Sequence, residues 1–332
     1  MKPKALVLGA GGFIGHHMVR RLKRDGFWVR GVDRKAPRYS PSGADDFITG
    51  DLRDRALVAQ AFDTRFDDVY QFAAEMGGAG YLFTGANDAE VMHSSALINL
   101  NVTDAARATQ PGRLLFSSSA CIYPARNQLD PDHPDCAEST AYPADPDSEY
   151  GWEKLFAERL YLAAARNHGL NVRIARLHNV FGPEGSWNDG REKAPAALCR
   201  KVAQAPEGGT VEIWGDGYQT RSFLFIDEAI DGFLRLMASD CREPVNIGSD
   251  EMVTINDLAR RILSIAGKSA SLVHIDGPTG VKGRCSDNRL IEARLGWKPG
   301  ASLNEGLVPT YRWISTQVAA LKDAGALKTQ DA

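Results

Sequence analysis

Lys4 to Asp33 reads KALVLGAGGFIGHHMVRRLKRDGFWVRGVD, and the architecture follows from it. It opens with an apolar run of strand length, Ala5-Leu6-Val7-Leu8. Gly9-Ala10-Gly11-Gly12-Phe13-Ile14-Gly15 follows, and then a segment with Ile14, Met18 and Leu22 on one helical face. A second strand, Trp28 to Val32, ends at Asp33. The strand-to-helix turn is tight, and a dinucleotide's pyrophosphate must lie against bare backbone at the helix N-terminus. There, free N–H groups and the helix dipole favour an anion. Gly15 lets the helix sit close on the strand, and Asp33 falls where a carboxylate takes both ribose hydroxyls of an adenosine, favouring NAD over NADP. A glycine-rich turn alone matches by chance, but here strand, turn, helix, strand and acid occur together.

A chain of 332 residues buries a large core and suggests two domains or one large one. The formal charge of -3 argues against general affinity for nucleic acid or an anionic membrane. No apolar run approaches the roughly 20 residues that span a bilayer, and the N-terminus runs into the first strand without room for a signal peptide. Cys121, Cys136, Cys199, Cys241 and Cys285 show neither CxxC nor metal-ligand spacing, so no metal site is expected. Reduced thiols in a cytoplasmic protein are the default.

After a polar loop at 34–46, Phe47-Ile48 leads into Asp51-Leu52-Arg53 as a third strand, whose acidic end lies within reach of the adenine ring. A helix at Ala56 to Phe62 and a strand at Val69 to Ala74 follow, delivering Glu75-Met76-Gly77-Gly78-Ala79-Gly80, a flexible cluster where open α/β sheets bind ligands. A long helix covers Ala89 to Arg107, and a fifth strand, Arg113 to Phe116, ends in Ser117-Ser118-Ser119-Ala120-Cys121-Ile122-Tyr123-Pro124. A helix at Ser148 to Asn167 and a strand at Val172 to Leu177 complete the alternation. Beyond it come a loop at Gly182 to Gly190, a helix from Lys193, strands at Val211 to Trp214 and Ser222 to Phe225, and four more helices. Those helices span Asp227 to Ala238, Ile255 to Ala266, Asn288 to Leu295 and Leu303 to Leu321. The pattern predicts an α/β fold, a Rossmann-type doubly wound parallel sheet with a smaller mixed α/β C-terminal substrate domain. The expected division is 1–178 for the NAD-binding domain, with later contributions around 216–242, an interleaved 179–323 for the substrate domain, and a frayed tail at 324–332.

Tyr150-Gly151-Trp152-Glu153-Lys154 opens a helix, so Tyr150 and Lys154 share a face one turn apart. A tyrosine, with reference pKa about 10, is a poor base at neutral pH unless a cation lowers that value. Lys154 and the charged nicotinamide would both do so, and Ser119 would hold a substrate hydroxyl for Tyr150. A Tyr-x-x-x-Lys pair by itself is common on amphipathic helices. Downstream of a dinucleotide turn and a serine-rich strand end, it reads as catalytic.

GAGGFIG, SSSACIY and YGWEK together resemble the extended short-chain dehydrogenase/reductase superfamily, over essentially the whole chain. Within it, AAEMGGAGY, SSACIYP, RLHNVFGP, GREKAPAA, WGDGYQTRSF, EPVNIGSDEMV and GVKGRCSDN are most similar to the GDP-mannose 3,5-epimerase family. The resemblance implies a bound NAD, a GDP-mannose or related GDP-hexose substrate, and inversion at sugar carbons 3 and 5. It places NAD on Gly9, Gly12, Phe13, Ile14, Gly15, Asp33, Asp51, Leu52, Tyr150 and Lys154. It puts the substrate on Gly77, Ser119, Ala120, Cys121, Asn179, Glu192, Lys193, Ala194, Lys201, Gln219, Thr220, Arg221 and Arg284. Tyr150, Lys154 and Ser119 become catalytic, and Cys121 and Lys193 become the acid–base pair. A homodimer through the helices at Ala89 to Arg107 and Ser148 to Asn167 is also implied, although their apolar residues fit a plain core equally well. Two positions depart from the family: Cys285, usually asparagine, and Asp189, usually glycine.

The chemistry is coherent. Protons on carbons 3 and 5 of a hexose are not acidic. Oxidation of carbon 4 by NAD puts both carbons α to a ketone, and inversion then needs a base on one face and an acid on the other. A thiol, pKa about 8.5 when free, serves as base if a cation stabilises the thiolate. Lys193 stands before Pro195 at a helix N-terminus, where the dipole disfavours its charge by about 0.3–1 kcal/mol and makes it a readier donor. The competing readings are an inert buried thiol for Cys121, a solvated lysine for Lys193, and unrelated surface charge for Lys201, Arg221 and Arg284. His178 reads as structural, and His16 and His17 as helix-surface residues. Two other functions remain open: a GDP-fucose synthase-like 3,5-epimerase/4-reductase, which would need NADPH, and a non-catalytic dinucleotide sensor.

Overall fold

The computed structural model describes residues 2–323; the tail expected at 324–332 lies outside them. The first half builds β1 (Lys4–Leu8), α1 (Phe13–Arg24), β2 (Trp28–Asp33), β3 (Asp46–Thr49), α2 (Arg55–Ala61) and β4 (Asp68–Gln71). It continues with α3 (Ala79–Leu82), α4 (Asp88–Thr109), β5 (Arg113–Ser119), α5 (Glu149–His168) and β6 (Val172–Leu177). The second half adds β7 (Val180–Phe181), α6 (Ala194–Gln204), β8 (Gly209–Trp214), β9 (Thr220–Ser222), β10 (Leu224–Phe225), α7 (Ile226–Ala238) and β11 (Val245–Ile247). Last come β12 (Met252–Thr254), α8 (Ile255–Ala266), β13 (Ala270–Ile275), β14 (Gly283–Arg284), α9 (Arg289–Leu295) and α10 (Leu303–Asp323).

Seven parallel strands form the main sheet in the order β11-β6-β5-β4-β1-β2-β3. Ala5 to Leu8 are fully buried because helices cover both faces, which is why β1 reads as a continuous apolar run. Met18 and Leu22 of α1 pack with Ile230 and Phe233 of α7 on one face. Val58 of α2, Val102 of α4 and Tyr161 of α5 pack on the other. Strand order reverses beside β1, between β2 and β4, and such a switch opens a crevice at the strands' carboxyl ends. A third apolar cluster joins α6, α8 and α10 to the parallel pair β8 and β13. This second layer stands beside the crevice.

Several details differ from the sequence expectation. The third strand stops at Thr49, because the Asp51 carboxylate accepts the Arg53 N–H at 2.9 Å and turns the chain. The segment Ser222 to Phe225 divides into β9, paired with β12 and β14, and β10, paired with β7. The sequence pattern predicts no element at 245–247, yet β11 is the seventh strand of the main sheet, just past the 216–242 window that holds α7. Three residues are too few to show a period. His16 is not a surface residue, being 3% exposed and bonded to Ser40 Oγ at 2.8 Å, while His17 is half-buried and bonds the Pro183 carbonyl at 3.1 Å. Packing of the 183–184 loop over α1 covers His16 and part of His17.

Candidate active site

The β1–α1 turn is built for close contact: a Cβ on Gly15 would stand 2.1 Å from the Gly9 carbonyl oxygen. Asp33, at the end of β2, accepts the Gly11 N–H at 3.0 Å through Oδ2 and so sits against the glycine turn. Asp51 is gripped by the Arg53 guanidinium, which with the Arg53 N–H holds its carboxyl below the usual range. Leu52 is buried beside it. Together with Gly12, Phe13 and Ile14, these residues line one end of a cavity of about 600 Å³. Its size and bare-backbone floor fit a dinucleotide, the adenosine ribose lying toward Asp33.

At the other end stand Ser119, Tyr150, Lys154, Gly77 and Lys193. Ser148 caps α5 through the Gly151 N–H, fixing the first turn that carries Tyr150. A Cβ on Gly151 would lie 2.2 Å from the Cys121 carbonyl oxygen, so this turn rests directly on the strand end. The Lys154 ammonium is buried, donates to the Ser117 carbonyl at 2.9 Å and lies 5.7 Å from the Tyr150 ring centre. Burial lowers its pKa, with Glu153 opposing. The expected lowering at Tyr150 is not what the chain alone provides. Burial pushes the phenol up, Cys121 and Glu153 add to this, and Ser119 works the other way. A cation arriving with the cofactor is left to supply the downward push.

Cys121 lies in the short 3₁₀ turn after β5, where Ser119 Oγ accepts its N–H at 3.2 Å. Its sulfur is 3.0 Å from Arg284 Nη1, a cation the sequence had assigned elsewhere. Arg284 also donates to Gln128 and, at 2.9 Å, to Asp147. Burial works against its charge, but Cys121, Asp147 and Cys136 more than restore it. Lys193 is the N-cap of α6 with Pro195 in the first turn. Burial lowers its pKa, Cys121 opposes this and Arg284 adds to it, so thiol, guanidinium and ammonium share one electrostatic neighbourhood.

The remaining candidates do not form one exposed basic patch. Lys201 donates to the Glu212 carbonyl at 2.9 Å. Arg221 holds the Thr279 and Val281 carbonyls, and burial, with Arg284 adding to it, lowers its pKa to about 10. Gln219 donates to the Trp214 carbonyl while its Oε1 is buried with no partner among the described residues. Asn179, at φ 43°, donates to the Ser222 carbonyl. Glu192 accepts from Arg200 at 2.8 Å. Ala120 is buried beside Cys121, Thr220 is buried in β9, and Ala194 begins α6. Sequence reasoning missed Asp147, which has no local signal, and Glu75, whose signal was its place at the carboxyl end of β4.

The model of the NAD dependent epimerase/dehydratase family matches residues 5–248. The fold is shared with the UDP-glucose 4-epimerase of Thermotoga maritima, solved with UDP-glucose, at a TM-score of 0.84 and 24% identity over 95% of this chain and 99% of that one. This chain belongs to the NAD-dependent epimerase/dehydratase family, and is an isomerase whose cofactor is NAD. Among curated proteins it is 45% identical over 325 residues, 97% of this chain and 85% of the other, to the GDP-mannose 3,5-epimerase of Arabidopsis thaliana. It is 44% identical over 98% of its length to GDP-mannose 3,5-epimerase 1 of Oryza sativa subsp. indica, spanning 85% of that protein. Among the described residues, no helix is long and apolar enough to cross a membrane.

Proposed function

We propose that the protein inverts carbons 3 and 5 of GDP-mannose, or of a related GDP-hexose, yielding GDP-L-galactose with GDP-L-gulose. When bound, NAD supplies a reversible two-electron oxidation at carbon 4 of the sugar. Tyr150 Oη takes the carbon 4 hydroxyl proton as the ketone forms and returns it at the end. Ser119 orients that hydroxyl, and Lys154 has two ammonium protons left for the cofactor ribose. Beside the ketone, Cys121 Sγ removes a proton from carbon 3 or 5, and Lys193 Nζ delivers one to the opposite face. Exchange with water resets both groups.

The observation that carries this reading is the contact of Arg284 with Cys121, which packs with Tyr150, while Tyr150, Lys154 and Lys193 line one cavity. The Asp33 carboxylate against the glycine turn disfavours the extra phosphate of NADP, and so disfavours the fucose-synthase alternative. Exposed Leu100 on α4 and Trp152 and Phe156 on α5 support a homodimer through these helices. Five free cysteines suit a cytoplasmic protein. Incubating the protein with GDP-mannose in deuterated water tests the function. Deuterium at carbons 3 and 5, read by NMR, is the expected result. A 6-deoxy-4-keto product would replace the reading with a dehydratase, and an unchanged sugar with a sensor.

A further inference from the structure

We propose that Glu75 is a positioning residue whose carboxylate registers the loop at 189–193, so that Lys193 enters the sugar site. The proposal rests on the role given to Lys193 above. Glu75 is 5% exposed at the carboxyl end of β4, and its own N–H is fixed by Ser95 Oγ at 3.0 Å. Its carboxylate accepts from Arg191 Nη1 at 2.7 Å, the Tyr81 hydroxyl at 2.9 Å and Arg34 Nη2 at 3.1 Å.

The grip on Arg191 is specific. Arg191 also donates to the Met76 carbonyl at 3.3 Å, and its guanidinium lies 4.2 Å from the Tyr81 ring centre. The backbones touch beside it, since a Cβ on Gly78 would stand 2.3 Å from the Glu192 carbonyl oxygen. A second anchor holds the loop's other side, with Glu192 accepting from the Gly190 N–H at 2.7 Å and from Arg200 at 2.8 Å.

Register matters because Lys193 follows Arg191 by two residues. A slip of one residue moves the backbone by about 3.3 Å, enough to take an ammonium out of proton-transfer range. Glu75 is no free base. Burial alone would raise its carboxyl, but hydrogen bonds from Tyr81 and Arg191 and the charge of Arg34 hold it below the usual range. Arg34 follows Asp33, so the same carboxylate ties the loop to the strand end on the cofactor side.

The test compares the NAD-loaded wild type with Arg191→Ala, Glu75→Gln and the conservative Arg191→Lys. Two readouts bear on the sugar: NADH absorbance for carbon 4 oxidation, and deuterium entry for the acid–base steps. A third, amide hydrogen exchange of 186–193, needs no substrate. In the alanine and glutamine variants oxidation should persist, while kcat for deuterium entry falls about tenfold or more with KM within about threefold. The loop amides should exchange about tenfold faster, and Arg191→Lys should recover part of the loss. Unchanged amide exchange, or a loss confined to KM, would overturn the proposal. If the wild type itself neither oxidises GDP-mannose nor takes up deuterium, the substrate reading fails, and the amide exchange still decides whether Glu75 holds the loop.

Discussion

Arg284 places Nη1 3.0 Å from the Cys121 sulfur while its Nη2 lies 2.9 Å from Asp147, so one buried guanidinium bridges a thiol and a carboxylate. An adjacent cation favours the charged form of an acid, and low dielectric strengthens the effect. The guanidinium therefore already faces the Cys121 sulfur in the folded chain, before any sugar arrives. Arg284→Gln should slow iodoacetamide alkylation of Cys121 at neutral pH, located by mass spectrometry, by about tenfold to a hundredfold, the worth of a charged hydrogen bond. Asp147→Asn should act in the same direction but less. Alkylation at the wild-type rate in both variants would leave Arg284 as a diphosphate ligand only.

Cys121→Ala separates oxidation from epimerisation. The strand β5 that carries Ser119 and the Ser148-capped turn of α5 that carries Tyr150 are held by backbone and cap hydrogen bonds. NAD content should remain at the wild-type level, while deuterium entry at both sugar carbons disappears. Exchange persisting at either carbon would show that another group is the base there. Tyr150→Phe should give the complementary defect, with NAD retained and no oxidation.

His178 sets part of the response to acid. It is fully buried and bonds Asn246 at 3.0 Å. Burial lowers its pKa from the ordinary 6.5 to about 3, the Asn246 hydrogen bond opposing. Between those values the unfolded chain binds a proton that the folded chain refuses, so stability falls as pH drops through that window. Half-buried Glu138 and buried Glu153, both raised by burial, act with the opposite sign at pH values above their ordinary 4.5. The difference between wild type and His178→Gln isolates the histidine. The variant should start with a lower Tm at neutral pH and lose less of it between pH about 6.5 and about 4. Parallel curves would mean that His178 does not titrate on unfolding.

Much of this was readable in the chain because the signals were local. A strand of four apolar residues, a glycine turn and an acid lie within thirty residues, and Gly9, Gly11 and Gly15 answer close contacts that the structure contains. Tyr150 and Lys154 are one helical turn apart, so their pairing needed no tertiary knowledge. What was hidden depends on distance along the chain. Arg284 reads as a phosphate ligand by motif, but its partners Cys121, Gln128 and Asp147 lie 137 to 163 residues away. The burial of His16 depends on Glu184 and Ser40 arriving from separate loops. Strand β11 is recruited by β6 rather than by any pattern of its own.

One face of α5 leaves Trp152 and Phe156 in solvent. They stand four residues apart on α5, at 42% and 45% exposure, with Leu100 of neighbouring α4 at 43%. Two adjacent helices that each present large apolar side chains gain by covering one another's copy about a two-fold axis, where the same patch serves both partners. Trp152 lies two residues from Tyr150, so such an interface would also brace the turn carrying the Tyr150 phenol. The double variant Trp152→Glu with Phe156→Glu sets two carboxylates on that surface, and their self-repulsion across the axis should halve the molar mass measured by light scattering. A wild type that is monomeric at micromolar concentration, or a variant of unchanged mass, would exclude this face as the dimer contact.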